Sequence, residues 1–201
     1  MEKLDIYDEY MRHIGCEDRD IVHQKGLWHK TVHCWLYDDL GNIYFQIRKS
    51  SQKLYTTASG HVQAGESVKQ AFRREVMEEI GIKVDIENSL LVEITAWRMD
   101  KIKNDQPFID RAFANVYLNK VDDDKISFVL CEDEVSGLVK VNATDCLKLL
   151  YKDIKEVPAE KITTARENIS LTADDFLVQQ GEIAIVKYGK ILQEVIKLTK
   201  H

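Results

Sequence analysis

Hydrophobic and polar positions change their period along this chain, and each change marks an element. In Lys30 to Lys49, KTVHCWLYDDLGNIYFQIRK, β-branched and aromatic runs flank the turn-forming Asp38-Asp39-Leu40-Gly41-Asn42, which predicts a β-hairpin. Ser51 to His61 reads as a short strand or loop. The period then lengthens: Phe72, Val76 and Ile80 recur every four residues, predicting a helix over Ser67 to Ile80 that packs on a sheet. Gly81 follows where a left-handed cap is expected. Strand-like runs return at Ser89 to Trp97 and Arg111 to Leu118, with Asp122-Asp123-Asp124 as a solvated turn. Val139 to Tyr151 reads as a strand running into a helix, with Ala143-Thr144-Asp145 near its start. From about Pro158 the character becomes helical: Thr172 is an N-cap candidate, and Ile191/Val195 and Leu192/Ile196 repeat at four. This order predicts an α/β (α+β) layout rather than a bundle or barrel. With two prolines and no Gly/Ser-rich run, no long linker is expected. The reading is one main domain over 1–157 and a C-terminal helical extension over 158–201, packed on that domain or forming a homodimer interface.

Composition narrows the function classes. The 201 residues are 44% hydrophobic and 31% charged, with a formal net charge of −6. That balance suits a soluble globular protein with a real core and gives no reason to expect nucleic-acid binding. No run approaches the ~18 apolar residues a membrane helix needs, and the acidic N-terminus MEKLDIYDEYMRH lacks the apolar core of a signal peptide. Cys16, Cys34, Cys131 and Cys146 are scattered. They read as reduced thiols of a cytoplasmic protein, not as a zinc or disulfide framework.

The helix raises a chemical question. At about 100° per residue, Glu75, Glu78 and Glu79 fall within an arc of roughly 100° on one face, where like charges at i,i+3 and i,i+4 repel. They border the apolar stripe rather than oppose it, and only Arg74 of the arginine pair lies beside them. Gly60 and Gly65 precede the helix in a loop whose backbone can approach a ligand. Mg²⁺ resolves such repulsion, since it takes a few carboxylates together with substrate phosphate and water.

These residues resemble the Nudix hydrolase family, whose pattern is G-x5-E-x7-R-E-U-x-E-E-x-G-U, with U a bulky apolar residue. Gly60, Glu66, Arg74, Glu75, Val76, Glu78, Glu79, Gly81 and Ile82 occupy its nine positions. The resemblance implies an α/β/α sandwich with a mixed sheet and Mg²⁺-dependent (Mn²⁺ also serving) hydrolysis of a nucleoside diphosphate-X or related small diphosphate. It implies Glu75 and Glu79 as principal metal ligands, Glu78 as a further ligand or water-mediated contact, and the Gly60 carbonyl as an additional ligand. Glu66 and Arg74 would tie the loop to the helix by an ion pair, with Gly81 structural. For the general base, Glu79 comes first, with Glu132 and Glu134 as loop alternatives; these three and Glu78 are the candidate catalytic carboxylates.

The flanks GLWHKTVHCWLYDDLGNIYFQIRKS and SGHVQAGES resemble the isopentenyl-diphosphate isomerase branch, over roughly Asp18 to Gly81. The isomerase carries a catalytic cysteine just before its Gly-His pair, whereas Ser59 stands there in this chain, and FIDRAF offers only Asp110 and Arg111 for its later carboxylates. Hydrolysis is therefore favoured over isomerisation, with a non-catalytic ligand-sensing module as a third class. His29 and His61 match metal-ligating places of the isomerase and His23 lies close to a third, a possible second metal site. The favoured reading is that these histidines, and His33, hydrogen-bond within the strand and loop layer. Arg48, Lys49, Arg98 and Arg111 are candidate phosphate contacts, Arg48 foremost. Trp35 is expected in the core, and Trp28 and Trp97 are open to core or substrate roles. Specificity is expected from Met99 to Asp110 and Leu130 to Gly137.

Overall fold

The structure is a computed structural model that describes residues 2–103, 105–178 and 184–200. It begins with strands β1 (Lys3–Tyr7) and β2 (His13–Asp18), the short helix α1 (Arg19–Lys25), and strands β3 (Trp28–Tyr37), β4 (Asn42–Arg48), β5 (Leu54–Tyr55) and β6 (Ala58–His61). Helix α2 (Val68–Ile80) leads to β7 (Leu90–Lys103), β8 (Gln106–Lys120) and β9 (Val135–Asn142). Helix α3 (Ala143–Leu150), the hairpin β10 (Val157–Ile162) and β11 (Arg166–Leu171), and helix α4 (Ala184–Thr199) complete the chain.

β3 organises a mixed sheet. β8 runs parallel to it from Trp28↔Arg111 to Tyr37↔Lys120, and β7 pairs antiparallel with β8. The other edge of β3 meets β1 at Trp28, β6 over Thr31–Cys34 and β4 at Leu36 and Tyr37. β3 and β4 therefore separate soon after their turn, and β4 goes on to pair with β5 and β9. Thr57 sits in the split: its hydroxyl accepts from the Leu36 N–H (3.1 Å) and donates to the Tyr44 carbonyl. Two buried backbone groups that the parting strands would orphan are thereby satisfied.

The alternation of β3 loads both faces. Val32, Cys34 and Leu36 join Tyr44 and the α2 residues Ala71, Phe72, Val76 and Ile80 in one core. Trp35, Phe45 and Val141 pack with Cys146 and Leu149 of α3 and with Tyr188, Leu192 and Val195 of α4 in the other. The result is the expected α/β/α sandwich with a C-terminal helix.

Three sequence expectations need correction. The segment from Pro158 is not helical at first: β10 pairs with β9 (Ala159↔Val141 to Ile162↔Leu138) and with β11, extending the sheet. Thr172 caps only a short 3-10 turn over Ala173–Asp175, and helix begins at Ala184 beyond 179–183, which lie outside the described residues. Met99 to Asp110 is not a free loop either. Met99↔Asp110 through Lys103↔Gln106 continue the β7–β8 ladder, while residue 104 lies outside the described set. Nor is Asp123 simply solvated. It accepts from the Tyr44 hydroxyl (2.7 Å), Lys140 (2.7 Å) and both terminal nitrogens of Arg166 (3.1 Å each), which pins its turn to β4, β9 and β11.

Candidate active site and histidine cluster

Local sequence fixes α2 at both ends. The Ser67 hydroxyl accepts from the Gln70 N–H while the Gln70 side chain accepts from the Ser67 N–H, a capping box that satisfies two otherwise orphaned donors. At the far end Gly81 takes φ 71° and its N–H reaches the Met77 carbonyl. A side chain there would lie 2.6 Å from Val129, so glycine serves both the left-handed turn and the close loop. With Phe72, Val76 and Ile80 fully buried, the rotation of α2 is set and its glutamates are aimed.

The three glutamates then meet different surroundings. Glu79 is buried at 6% exposure, and its Oε2 accepts from the Ser59 N–H (2.9 Å) and from Gln46 Nε2 (3.0 Å). Glu75 lies against Gly60, where a Cβ would overlap its carboxyl group, and its Oε1 accepts from Arg74 Nη1 at 2.7 Å. Burial raises Glu79 to about 8; the Ser59 N–H acts against this, and Glu75 and Glu134 add to it. Burial likewise raises Glu75 to about 7, opposed by Arg74 and reinforced by Glu78 and Glu134. Glu78 is exposed and pairs with Arg74 Nη1 at 3.1 Å. Arg74 thus neutralises Glu78 across one helical turn, at i,i+4.

Arg74 ties the loop to the helix. Its Nε and Nη2 donate to the two carboxylate oxygens of Glu66 (3.0 and 2.9 Å), and Nη2 also donates to the His61 carbonyl (2.9 Å). Such a two-pronged pair adds direction as well as energy. Glu134 sits in a loop anchored to α2 by the Cys131 N–H on the Glu79 carbonyl (2.9 Å). Its charge acts on Glu75 and Glu79; Glu132 lies on the same loop, and both are exposed. Among the cations singled out from sequence, Arg48 acts on Glu79 and lies 5.0 Å over the Tyr55 ring. Lys49 is exposed, its N–H donating to the Glu134 carbonyl. Arg98 lies 5.0 Å over Trp28, and Arg111 pairs with both Arg98 and Trp28 in register. Trp28 itself stacks on Phe113. Trp35 is in the core, and Trp97 is half-buried beneath Lys187.

Among the described residues, three metal-ligating atoms converge tightly at His23, His29 and His61, all within 4.8 Å of one another. Two of the three make ring hydrogen bonds: His23 Nδ1 donates to the Arg19 carbonyl (2.8 Å) and His29 Nδ1 to the Leu27 carbonyl (3.1 Å). A carbonyl only accepts, so both Nδ1 atoms carry a proton, and in the neutral ring of His29 Nε2 presents a lone pair. His29 Nε2 then faces Asp110 Oδ1 at 3.5 Å, and neither buried atom has a hydrogen-bond partner among the described residues. Burial holds His29 low, so this is a neutral ring beside a carboxylate rather than an ion pair. His61 is held down to about 2 by burial and then by its neighbours His29, Arg19 and His23. Two acceptors facing each other are costly, and a cation shared between them would remove that cost. A cavity of about 460 Å³ lined by Arg19, His23, Gln24, Gln106 and Phe108 opens beside the cluster.

The glutamates make no such knot, yet they fit Mg²⁺. One oxygen of Glu75 and one of Glu79 are held by the hydrogen bonds above, and no hydrogen bond among the described residues takes the other. Mg²⁺ needs only one or two carboxylates with water and phosphate. Sequence reasoning missed Gln46 and the Ser59 N–H, which orient Glu79. Gln46, a buried polar residue between apolar Phe45 and Ile47, was the available signal.

A family model described as NUDIX domain matches residues 27–162. An uncharacterised Nudix hydrolase of Clostridium acetobutylicum is 34% identical over 190 residues, covering 88% of this chain and 90% of its own length. Isopentenyl-diphosphate Delta-isomerase 2 of Photorhabdus laumondii is 32% identical over 85 residues, 40% of this chain and 48% of that protein. The crystal structure of DR0079 from Deinococcus radiodurans shares the fold with a TM-score of 0.55, 19% identity and coverage of 75% of this chain and 89% of that one. The intact motif on α2 and the match across the sheet together mean that this chain belongs to the Nudix hydrolase family.

Proposed function

We propose that this chain hydrolyses a phosphoanhydride bond in a small nucleoside diphosphate-X or related diphosphate, with Mg²⁺ (or Mn²⁺) held by Glu75 and Glu79. The carrying observation is that Glu79, buried, and Glu75, partly buried one turn before it, each keep one oxygen fixed and one available, next to a glycine that leaves Glu75 room. The Gly60 carbonyl is a further ligand, and Glu78, exposed beside Arg74, contacts the site through water. Bound Mg²⁺ supplies charge neutralisation at the diphosphate oxygens and a lowered pKa for the attacking water. The chain does the rest. Ser59 N–H and Gln46 hold Glu79, Arg74 holds Glu75 and the Glu66 loop, and Arg48 offers its guanidinium to phosphate. Glu134, whose charge acts on both Glu75 and Glu79, is the base candidate preferred to Glu132; Glu79 is the alternative. Positioning and electrostatics of this kind are what in-line substitution at phosphorus requires.

The test is release of phosphate or nucleotide from a panel of nucleotide sugars, dinucleotides, nucleoside triphosphates, coenzyme A and isopentenyl diphosphate, with Mg²⁺ and with EDTA. Chelator-sensitive release from one member supports the reading. Silence across the panel, with specific binding of one ligand, replaces it by a ligand-sensing module.

The orphaned His29 Nε2 and Asp110 Oδ1 favour a second reading beside the first. His23, His29, His61 and Asp110 suit a transition metal by donor type, as in an isopentenyl-diphosphate isomerase-like enzyme. Ser59, at the place of that enzyme's thiol, argues against isomerisation, and conversion of isopentenyl diphosphate with Zn²⁺ and Mg²⁺ present is the direct check.

A further inference from the structure

A carboxylate outside the three-histidine set stands against its third ring. In His23 and His29 a backbone carbonyl takes Nδ1, which leaves Nε2 as the ligating atom. In His61 the same nitrogen faces Glu2 instead, with Nδ1 3.8 Å from Oε1. The other oxygen of Glu2 lies 3.4 Å from Arg19 Nε. Both distances exceed the roughly 2.7–2.9 Å of a charge-assisted hydrogen bond, so the carboxylate stands between two donors and is held closely by neither. The fold fixes this placement. Glu2 leads into β1, where Leu4 is fully buried and bridges to Gln63. The Ala64 N–H donates to the Lys3 carbonyl (2.8 Å) and the Gly65 N–H to Asp5 Oδ2 (3.0 Å). β1 is thus stitched to the loop that follows His61. On the other side the Arg19 N–H donates to the Glu2 carbonyl (2.9 Å), and the Arg19 carbonyl is the acceptor for His23.

We propose that Glu2 is a positioning residue for a cation at the histidines: its carboxylate takes the Nδ1–H of His61 and so holds Nε2 of that ring toward His23 and His29. This rests on the second reading above, in which these histidines bind a transition metal, and adds a residue outside the ligand set. The acceptor on the far nitrogen of a ligating histidine orients the ring and makes it more basic, and carbonyls already do this for His23 and His29. Coordination at Nε2 polarises the ring and strengthens Nδ1–H as a donor, which draws Glu2 from Arg19 to His61. Arg19 then opposes binding in two ways. It competes for the carboxylate, and its positive charge acts on His29 and His61. A mere surface ion pair between Glu2 and Arg19 predicts something different, because the loss of either partner breaks it equally.

The experiment titrates Co²⁺ into chelator-treated wild type, Glu2→Ala, Glu2→Gln and Arg19→Gln, following the part of the d–d absorption that His61→Gln removes. Both side chains are partly exposed, and metal-free thermal unfolding checks that each variant is folded. Glu2→Ala is expected to bind Co²⁺ roughly 10- to 100-fold more weakly than wild type. Glu2→Gln should restore most of that loss, since its amide oxygen still accepts from His61. Arg19→Gln should bind roughly 2- to 10-fold more tightly, the effect of removing a nearby unit charge. Wild-type affinity in Glu2→Ala, or weakening in Arg19→Gln as well as in Glu2→Ala, overturns the role of Glu2 and leaves the histidine site standing. Absence of any His61-dependent band in wild type overturns the metal reading and the role of Glu2 with it.

Discussion

Gly60 and Glu75 occupy each other's space: a Cβ built on Gly60 would overlap the carboxyl group of Glu75. Gly60 does not have the positive φ that marks Gly65 or Gly81, so its requirement is room rather than backbone freedom. Gly60→Ala should therefore fold and still displace the carboxylate. A shift of about 1 Å at a positioned group costs about 100-fold in rate, and a loss of that order in kcat is expected, with a Tm within a few degrees of wild type. Full activity in Gly60→Ala would show that Glu75 is not held where the chemistry needs it.

Glu79 separates function from stability in the opposite sense. It is a carboxylate buried at 6% exposure beside other acids, so it opposes folding while no cation is bound. Glu79→Gln keeps the volume and an oxygen for the Ser59 N–H. Turnover with Mg²⁺ should fall by two orders of magnitude or more, while the metal-free Tm should equal or exceed that of wild type at pH 8. A mutant that hydrolyses substrate at the wild-type rate refutes the metal-helix mechanism.

How far these features could be read from sequence depends on whether they are local. Helix α2 carries its own signals: Ser67 and Gln70 at the start, apolar residues at every fourth position, Gly81 at the end. Those signals also aim Glu75 and Glu79, so the site's centre was legible. The strands from Val157 to Leu171 carry weak alternation, and the free edge of β9 decides them by pairing with β10. The outer half of the β7–β8 hairpin is charged, and only the ladder holds it in strand form. The histidine cluster depends on α1, on β3 and on the Thr31↔His61 register; its members were nameable from the resemblance to the isomerase, but their convergence needs that register.

The orphaned atoms at the histidines yield a test that does not depend on hydrolysis. One equivalent of Co²⁺ should bind per chain and give a d–d absorption band typical of nitrogen ligands. His61→Gln should abolish the band. Asp110→Asn should weaken binding roughly 10- to 100-fold, the range for a carboxylate supporting a histidine ligand. If the band persists in His61→Gln and disappears in Glu79→Gln, the cobalt sits at α2 and the histidines are hydrogen-bonding residues only.

Asp123 supplies the pH dependence. Burial acts to raise its pKa, but the hydrogen bonds from Arg166, Lys140 and Tyr44 outweigh it and hold the carboxyl well below its ordinary 3.8. A depressed carboxylate stabilises the fold above its unfolded pKa, and this contribution is lost as pH falls through the folded value. Hydrogen bonds to a charged group are worth about 1.5–3 kcal/mol, and at about 2–4 °C per kcal/mol for a chain of this size, Asp123→Asn should lower Tm by roughly 3–12 °C at pH 7. The gap should narrow progressively from about pH 5 to pH 2, because wild type loses there what the mutant never had. Thermal unfolding of both proteins across that range checks the sign. An equal gap at pH 2.5 and pH 7 would mean that Asp123 acts through packing rather than charge, and that Lys140 and Arg166 find other partners when it is removed.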